Sequence, residues 1–327
     1  MMRKFRILLL VLGAGVVGWL VWRANPADVI RTLAAPAWML PLVAVPFLAT
    51  YWLDTAGWRY AFPGKHPTPS FLRLFRLRLA GEAVNYITPL AGIGGEPLKA
   101  FWLKAEGVPA RDAVTSVVVS RTFLALTQVV YILTGLGLAL RHGTAGGRFV
   151  VGGLLVSAAV LAGVLGFILV QRKGIFQGML GILRSLRIRV PYLEAREAAL
   201  REIDATIGDY YRQGGRRMAL SLLYHLAGWF TETLEAWLIL TMMGVPAGLD
   251  QALGIQALTS IARAAAFFVP LGLGAQEGTT CVVFAGLGLS LAQGMAFSVL
   301  RRVREVVWMG IGWILLLREG SGGRPAG

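Results

Sequence analysis

Very little in this sequence invites chemistry in solution. Its one cysteine, Cys281, excludes an internal disulfide and any metal site built from several thiolates. The three histidines, His66, His142 and His225, stand far apart, and none falls in an HExxH-type spacing, so metal catalysis has no support. No motif marks a Ser/His/Asp nucleophile. Charged residues make up only 15% of the chain, and acids are the scarcer sign, 17 against 32 Lys and Arg. No segment is long and polar enough to form a separate soluble domain. The expectation is therefore a protein that is not an enzyme and needs no cofactor and no metal.

What the chain does have is apolar length. Of 327 residues, 56% are hydrophobic, and the mean hydropathy is +0.64. Several stretches reach the roughly 17–25 residues that cross a bilayer core, so the sequence reads as an integral membrane protein. The net charge of +15 would suggest nucleic acid on a soluble domain. On a membrane protein it marks cytoplasmic loops and contacts with anionic headgroups, and nucleic acid is excluded as a partner.

One stretch occurs twice. Pro89 is followed by a glycine-rich run and, seven positions on, by Glu96; Pro270 is followed in the same way by Glu277. Arg121 follows Glu96 by 25 positions, and Arg302 follows Glu277 by 25. The same offset of 181 pairs Asp54 with Glu235, Gly107 with Gly288, and Glu82 with the oppositely charged Arg263. A Pro/Gly break beside a charge, written twice in apolar surroundings, is a mark of discontinuous membrane helices around a transport site.

Basic residues then orient the chain. Residues 1–36 read as a first membrane helix and an external loop, with the N-terminus cytoplasmic. Residues 37–170 form a first membrane repeat, in which 71–105 is a re-entrant helical hairpin, because basic residues flank it on both sides. Non-helical backbone at that depth must be buried in protein or face a wet cavity. Glu96-Pro97 reads as the start of its second half-helix, since proline suits the first helical position. Residues 171–217 read as a cytoplasmic linker with an amphipathic helix, from the spacing of Leu193, Leu200, Ile203 and Ile207. Residues 218–317 form a second repeat with a hairpin at 249–290 entering from outside, and 318–327 read as a disordered tail. The fold class is an all-α polytopic membrane protein: an inverted-topology repeat with two re-entrant hairpins, about six full spans and both termini cytoplasmic.

Ionisable groups within spans cost about 2.5–3.5 kcal/mol or more each at mid-membrane, so they seldom sit idle. Asp54, Glu96 and Arg121 form one acid–acid–arginine set, and Glu235, Glu277 and Arg302 a second. Each arginine could simply neutralise its acids and pin its hairpin. The functional alternative is that the arginines receive an anionic headgroup at half-helix N-termini. Asn85, Pro89, Gly95, Pro270 and Gly274 complete the candidate substrate path, the glycines first of all for turns and close helix approach. His225 reads as a hydrogen-bonded helix residue rather than a ligand.

Asn85-Tyr86-Ile87-Thr88-Pro89 with Gly94-Gly95-Glu96 and then Ser120-Arg121 resembles the first motif of the lysylphosphatidylglycerol synthase transmembrane-region family. Pro270-Leu271-Gly272-Leu273-Gly274-Ala275-Gln276-Glu277 with Arg302 resembles the second. The family often carries an acid before the first arginine, where this chain has Ser120. The resemblance implies a flippase-like, multi-pass protein of the bacterial cytoplasmic membrane that moves lipids with polar, anionic headgroups, or hopanoid-type lipids in one branch. Members fused to a soluble aminoacyl-transfer domain make lysylphosphatidylglycerol, an activity that does not carry over here. Expected partners are membrane lipids, with a homo-oligomer or lipid-biosynthesis proteins as further candidates. Two other readings stay open: a non-transporting subunit of a lipid-modifying pathway, and a small-solute transporter.

Overall fold

The computed structural model describes residues 15, 17–34, 40–64, 66–88, 94–141, 147–213, 215–265 and 273–322. Among these every regular element is helical. In chain order they are α1 (17–23), α2 (Pro26–Ala34), α3 (Leu40–Tyr60), α4 (Phe71–Ile87), α5 (Gly95–Ala105), α6 (Ala110–Arg141) and α7 (Gly147–Lys173). There follow α8 (Ile175–Ser185), α9 (Pro191–Glu194), α10 (Glu197–Gln213), α11 (Gly215–Met242), α12 (Leu249–Ala265), α13 (Ala275–Gly286) and α14 (Leu291–Gly322).

Local chemistry accounts for several boundaries. Ser70 caps α4 by accepting from the Arg73 amide at 3.3 Å. Helix α5 opens with Glu96 and Pro97 in its first turn, where a carboxylate meets the free N–H groups and proline loses nothing. After α5 and after α13 the chain turns on glycines with positive φ, Gly107 at 86° and Gly288 at 75°. The two turns share their hydrogen bonds: Val108 N to Leu103 O at 3.1 Å, and Leu289 N to Phe284 O at 2.9 Å. Helix α14 continues to Gly322, so residues 318–322 are helical rather than part of a disordered tail. Its 32 residues match the 32 of α6, whose bounds lie 181 positions earlier at each end.

At the centre, α3 packs against α11 more extensively than any other pair. The two run antiparallel: Gly228 lies against Asp54, and further along α3 Gly57 lies against the His225 ring. Ser221 reaches the Gly57 carbonyl at 2.8 Å. Helix α4 packs on α14 and α12 on α6, while α5 and α13 pack on α6 and α14. Small residues permit these approaches. A Cβ at Gly95 would fall inside the carbonyl of Gly81, so α4 and α5 meet backbone to backbone. Two apolar clusters hold the ends, one with Trp58, Ala61, Leu74, Leu103 and Val119, the other with Ile239, Met242, Ile255, Phe284 and Leu300. Each residue of the second group stands 181 positions after one of the first.

Among the described residues two helical stretches, Ala110–Ala139 and Leu154–Lys173, are by length and composition apolar enough to cross a membrane alone. Helices α3, α11 and α14 fall short of that measure because they carry Asp54, Glu232, Glu235, Arg302 and Arg304, all of which turn inward. Little of the second stretch is buried, and Leu155, Leu165, Leu169 and Val170 point outward. Helix α10 lies across one end of α6, α7 and α8. Its apolar face, Ile203 and Ile207, is buried, Tyr210 donates to the Tyr60 carbonyl at 3.1 Å, and Asp204 caps α8 through the amides of Phe176 and Gln177.

Candidate functional site

The end of α4 and the starts of α5 and α13 carry buried polar side chains: Asn85, Glu96 and Glu277 are 5%, 8% and 4% exposed. Pro89 and Pro270 lie outside the described residues, as does the side chain of Arg263. Two polar clusters lie beside these helix ends, the first built on α3–α6 with His225 of α11, the second on α11–α14.

In the first cluster Asp54 is 4% exposed and accepts from Arg78 Nη2 at 2.5 Å and faces His225 Nδ1 at 2.9 Å. The other ring nitrogen, Nε2, lies 3.1 Å from Ser120 Oγ. Glu96 accepts from Lys99 Nζ at 2.9 Å and from Asn85 Nδ2 at 3.3 Å. Asn85 spans the break: its side-chain carbonyl accepts from the Gly95 amide at 2.7 Å, and its amide also donates to Glu82 at 3.1 Å. Arg78, Glu96, Lys99, Ser120 and Arg121, with Trp58, Val117 and Leu124, line one small cleft. Arg121 forms no hydrogen bond and no ion pair among the described residues, and Arg78 Nε is buried without a hydrogen-bond partner.

In the second cluster Arg302 Nε donates to Glu277 at 2.7 Å, and its Nη1 donates to Glu305 at 2.6 Å. Glu277 also accepts from the Gly274 amide at 2.8 Å, closing the N-terminus of α13. Glu235 accepts from Arg304 at 2.6 Å, both side chains being 1% exposed, and the guanidinium of Arg304 lies 3.7 Å from the centre of the Phe47 ring. Gln256 donates to Glu232 at 2.6 Å. Thr259, Gln276, Glu277, Thr280, Ser298 and Arg301 line a second cleft.

The clefts occupy equivalent places. Arg78, Glu96, Lys99, Val117 and Ser120 of the first stand 181 positions before Thr259, Glu277, Thr280, Ser298 and Arg301 of the second. Their chemistry differs. The first has three cations on its wall; the second has one, Arg301, among hydroxyls and an amide.

Placement therefore changes the expected pairings. Glu277 and Arg302 meet, but Arg121 bonds neither Asp54 nor Glu96, and Glu235 goes to Arg304 instead of Arg302. The reason is competition from nearer bases. Lys99 is on the next turn of the same helix as Glu96, and Arg78 projects from α4 onto Asp54. Sequence alone reads Arg78 as a loop charge, and it places Lys99 inside the first hairpin and Arg304 inside the last span without giving either a partner. A spacing of three along α5 was the available signal for Lys99. A larger cavity of about 370 Å³ lies away from both clusters, walled mainly by apolar side chains of α12 and the α11–α12 turn. Gly254 and Leu287 line it; the equivalent positions in the first half are Arg73 and Glu106, which bond each other at 2.6 Å.

A model of a membrane family described as "Lysylphosphatidylglycerol synthase TM region" matches residues 6–312. The chain is 25% identical to a UPF0104 membrane protein of Methanothermobacter thermautotrophicus over 319 residues, 92% of this chain and 91% of the relative. It is 24% identical to the UPF0104 membrane protein PH1989 of Pyrococcus horikoshii over 334 residues, 97% and 98% of the two chains. No solved structure matches it.

Proposed function

The chain belongs to the lysylphosphatidylglycerol synthase TM-region family of membrane proteins, and on that premise we propose that it carries a lipid with an anionic headgroup across the membrane. The headgroup enters the first cleft and is exchanged past the central α3–α11 pair, while the acyl chains stay in the bilayer. The two halves act as an inverted repeat with about six spans and two re-entrant hairpins, α4–α5 and α12–α13, an architecture that places a site at the midplane. The matched bounds of α6 and α14 and the equivalent lining of the two clefts support that reading.

One observation carries the substrate class. Arg121 faces the first cleft beside Arg78, Lys99 and Glu96 and, among the described residues, donates no hydrogen bond to any acid. Its equivalent Arg302 is occupied by Glu277 and Glu305. The difference has two sources in the sequence. Lys99 takes the hydrogen bond of Glu96, and Leu124 stands where the second half has Glu305. A guanidinium in a protein interior calls for an anion, and its fork suits phosphate.

The test is reconstitution into vesicles containing a trace of fluorescent phosphatidylglycerol or, separately, fluorescent phosphatidylcholine. Wild type is expected to exchange phosphatidylglycerol between leaflets, and Arg121→Gln to lose at least tenfold of that rate with an unchanged melting temperature. Equal rates for Arg121→Gln and wild type would sink the reading.

A further inference from the structure

His225 is fully buried, yet one hydroxyl connects it to the first cleft. Its Nε2 meets Ser120 Oγ at 3.1 Å, and Ser120 lines the cleft. Its Nδ1 meets Asp54 at 2.9 Å, and Gly57 leaves room for the ring at the crossing of α3 and α11. Histidine is the side chain whose charge changes within the physiological pH range. Glu96 and Glu277, the acids nearest the helix breaks, are each committed to a cation and to an amide donor.

We propose that His225 is the binding site for a proton taken up together with the anion that enters the first cleft, so that the headgroup and one proton travel as a neutral pair. This rests on the reading of the first cleft as the headgroup site. The charge balance around the imidazole carries it. Asp54 on α3 faces the ring directly, and Arg78 on α4 shares that carboxylate. Lys99 on α5 and Arg121 on α6 line the cleft with Glu96, and Glu82 on α4 joins them through Asn85. On α11 itself the next acid, Glu232, is engaged by Gln256 and Arg301.

Three cations, Arg78, Lys99 and Arg121, thus balance three acids, Asp54, Glu82 and Glu96. An imidazolium alone leaves one positive charge in a low-dielectric interior, and a phosphodiester alone leaves one negative charge. Together they restore neutrality, so each raises the affinity for the other. Among the described residues the second cluster has no histidine in the equivalent place. Asp54 corresponds to Glu235, which is paired with the permanently charged Arg304.

The proton's path follows the hydrogen bonds. The neutral ring donates from Nδ1 to Asp54 and accepts at Nε2 from Ser120 O–H. Ser120 passes its proton to Nε2 and regains one from a hydronium ion supplied by the solvent, so that one solution proton ends on the imidazole and no hydroxide is left behind. No covalent bond other than these N–H and O–H bonds forms or breaks.

The experiment measures the affinity of the detergent-solubilised full chain for dihexanoyl phosphatidylglycerol by calorimetry, from about pH 5.5 to 8.5. Dimethyl phosphate serves in a second arm. Both probes are phosphodiesters whose own charge is constant in that range. Affinity is expected to be greatest at low pH and to fall about tenfold per unit on the alkaline side, the slope of one linked proton. His225→Gln is expected to bind with no pH dependence, and His66→Gln to keep the wild-type slope. A slope with either probe supports the proton site, and the tighter probe tells a lipid headgroup from a free phosphodiester. Should His225→Gln fail to fold, proton uptake per bound anion, from wild-type heats in two buffers of different ionisation enthalpy, decides instead. Binding without proton uptake overturns the inference and leaves the headgroup site standing. No binding of either probe overturns both.

Discussion

Thr50 and Thr231, 181 positions apart, share a hydrogen bond of 2.6 Å between their side-chain hydroxyls. Each hydroxyl also turns to its own helix, Thr231 to the Gly228 carbonyl at 2.6 Å and Thr50 to that of Pro46 at 3.4 Å. An element and its repeat can touch at equivalent residues only where the axis relating them passes. With α3 and α11 antiparallel, that axis runs across the helices, which is the geometry the proposed inverted repeat calls for. Polar contacts of this kind between membrane helices contribute on the order of 1 kcal/mol each. The pair therefore places the crossing more than it stabilises it.

Crosslinking tests that contact. Thr50→Cys with Thr231→Cys, on a Cys281→Ser background, is expected to form a disulfide on mild oxidation. Trypsin cuts the exposed segment at Arg187 and Arg189 between α8 and α9. The oxidised protein should then run as one band without reductant and as two with it. Two bands under both conditions would remove the α3–α11 crossing from the fold.

Sidedness tests the inversion. Single cysteines at His66 and Glu106, which flank the first hairpin, are expected to react with an impermeant maleimide from one face of the membrane. Cysteines at Asp250 and Ser290, which flank the second, should react only from the other. Labelling of residues 66 and 106 from opposite faces would turn the α4–α5 hairpin into a full crossing.

Membrane character and helicity were legible because apolar length and aperiodic Pro/Gly breaks are local properties of a chain. The two halves could be aligned because Gly107 and Gly288 are needed for the same turn. The cluster around Asp54 was much less legible. Its members come from α3, α4, α6 and α11, so no fixed spacing joins Asp54, Arg78, Ser120 and His225. Arg78 looked like one more loop arginine beside Arg73 and Arg76, yet it is 7% exposed and faces inward from the middle of α4. A basic residue at a span's end and one turned into the interior have the same sequence signature. Only packing separates them.

Arg304 is expected to matter for stability. It is 1% exposed, bonds Glu235 and Glu305, and covers the Phe47 ring. Arg304→Ala removes the ion-pair partner of the buried Glu235 carboxylate, at a cost of about 3–5 kcal/mol. A clear fall in the detergent melting temperature is the expected readout. Glu235→Gln combined with Arg304→Met, which removes both charges, should recover much of the loss. A melting temperature for Arg304→Ala within experimental error of wild type would show that the pair is solvated.

The contrast between the two arginines can be reversed with one substitution. Arg302 and Glu305 are three residues apart on α14 and bond at 2.6 Å. Arg121 and Leu124 have the same spacing on α6, and both line the first cleft. Leu124→Glu therefore places a carboxylate within reach of Arg121 on the same helical face. The new charge is paired as soon as it is buried, so the stability change should stay within about 1–2 kcal/mol. The cleft, however, loses its vacancy for an anion. Exchange of fluorescent phosphatidylglycerol is expected to fall at least tenfold with Arg121 still present, and Leu124→Gln, similar in size but uncharged, should retain most of the activity. If Leu124→Glu exchanges lipid as fast as wild type, the guanidinium of Arg121 is not where the headgroup docks.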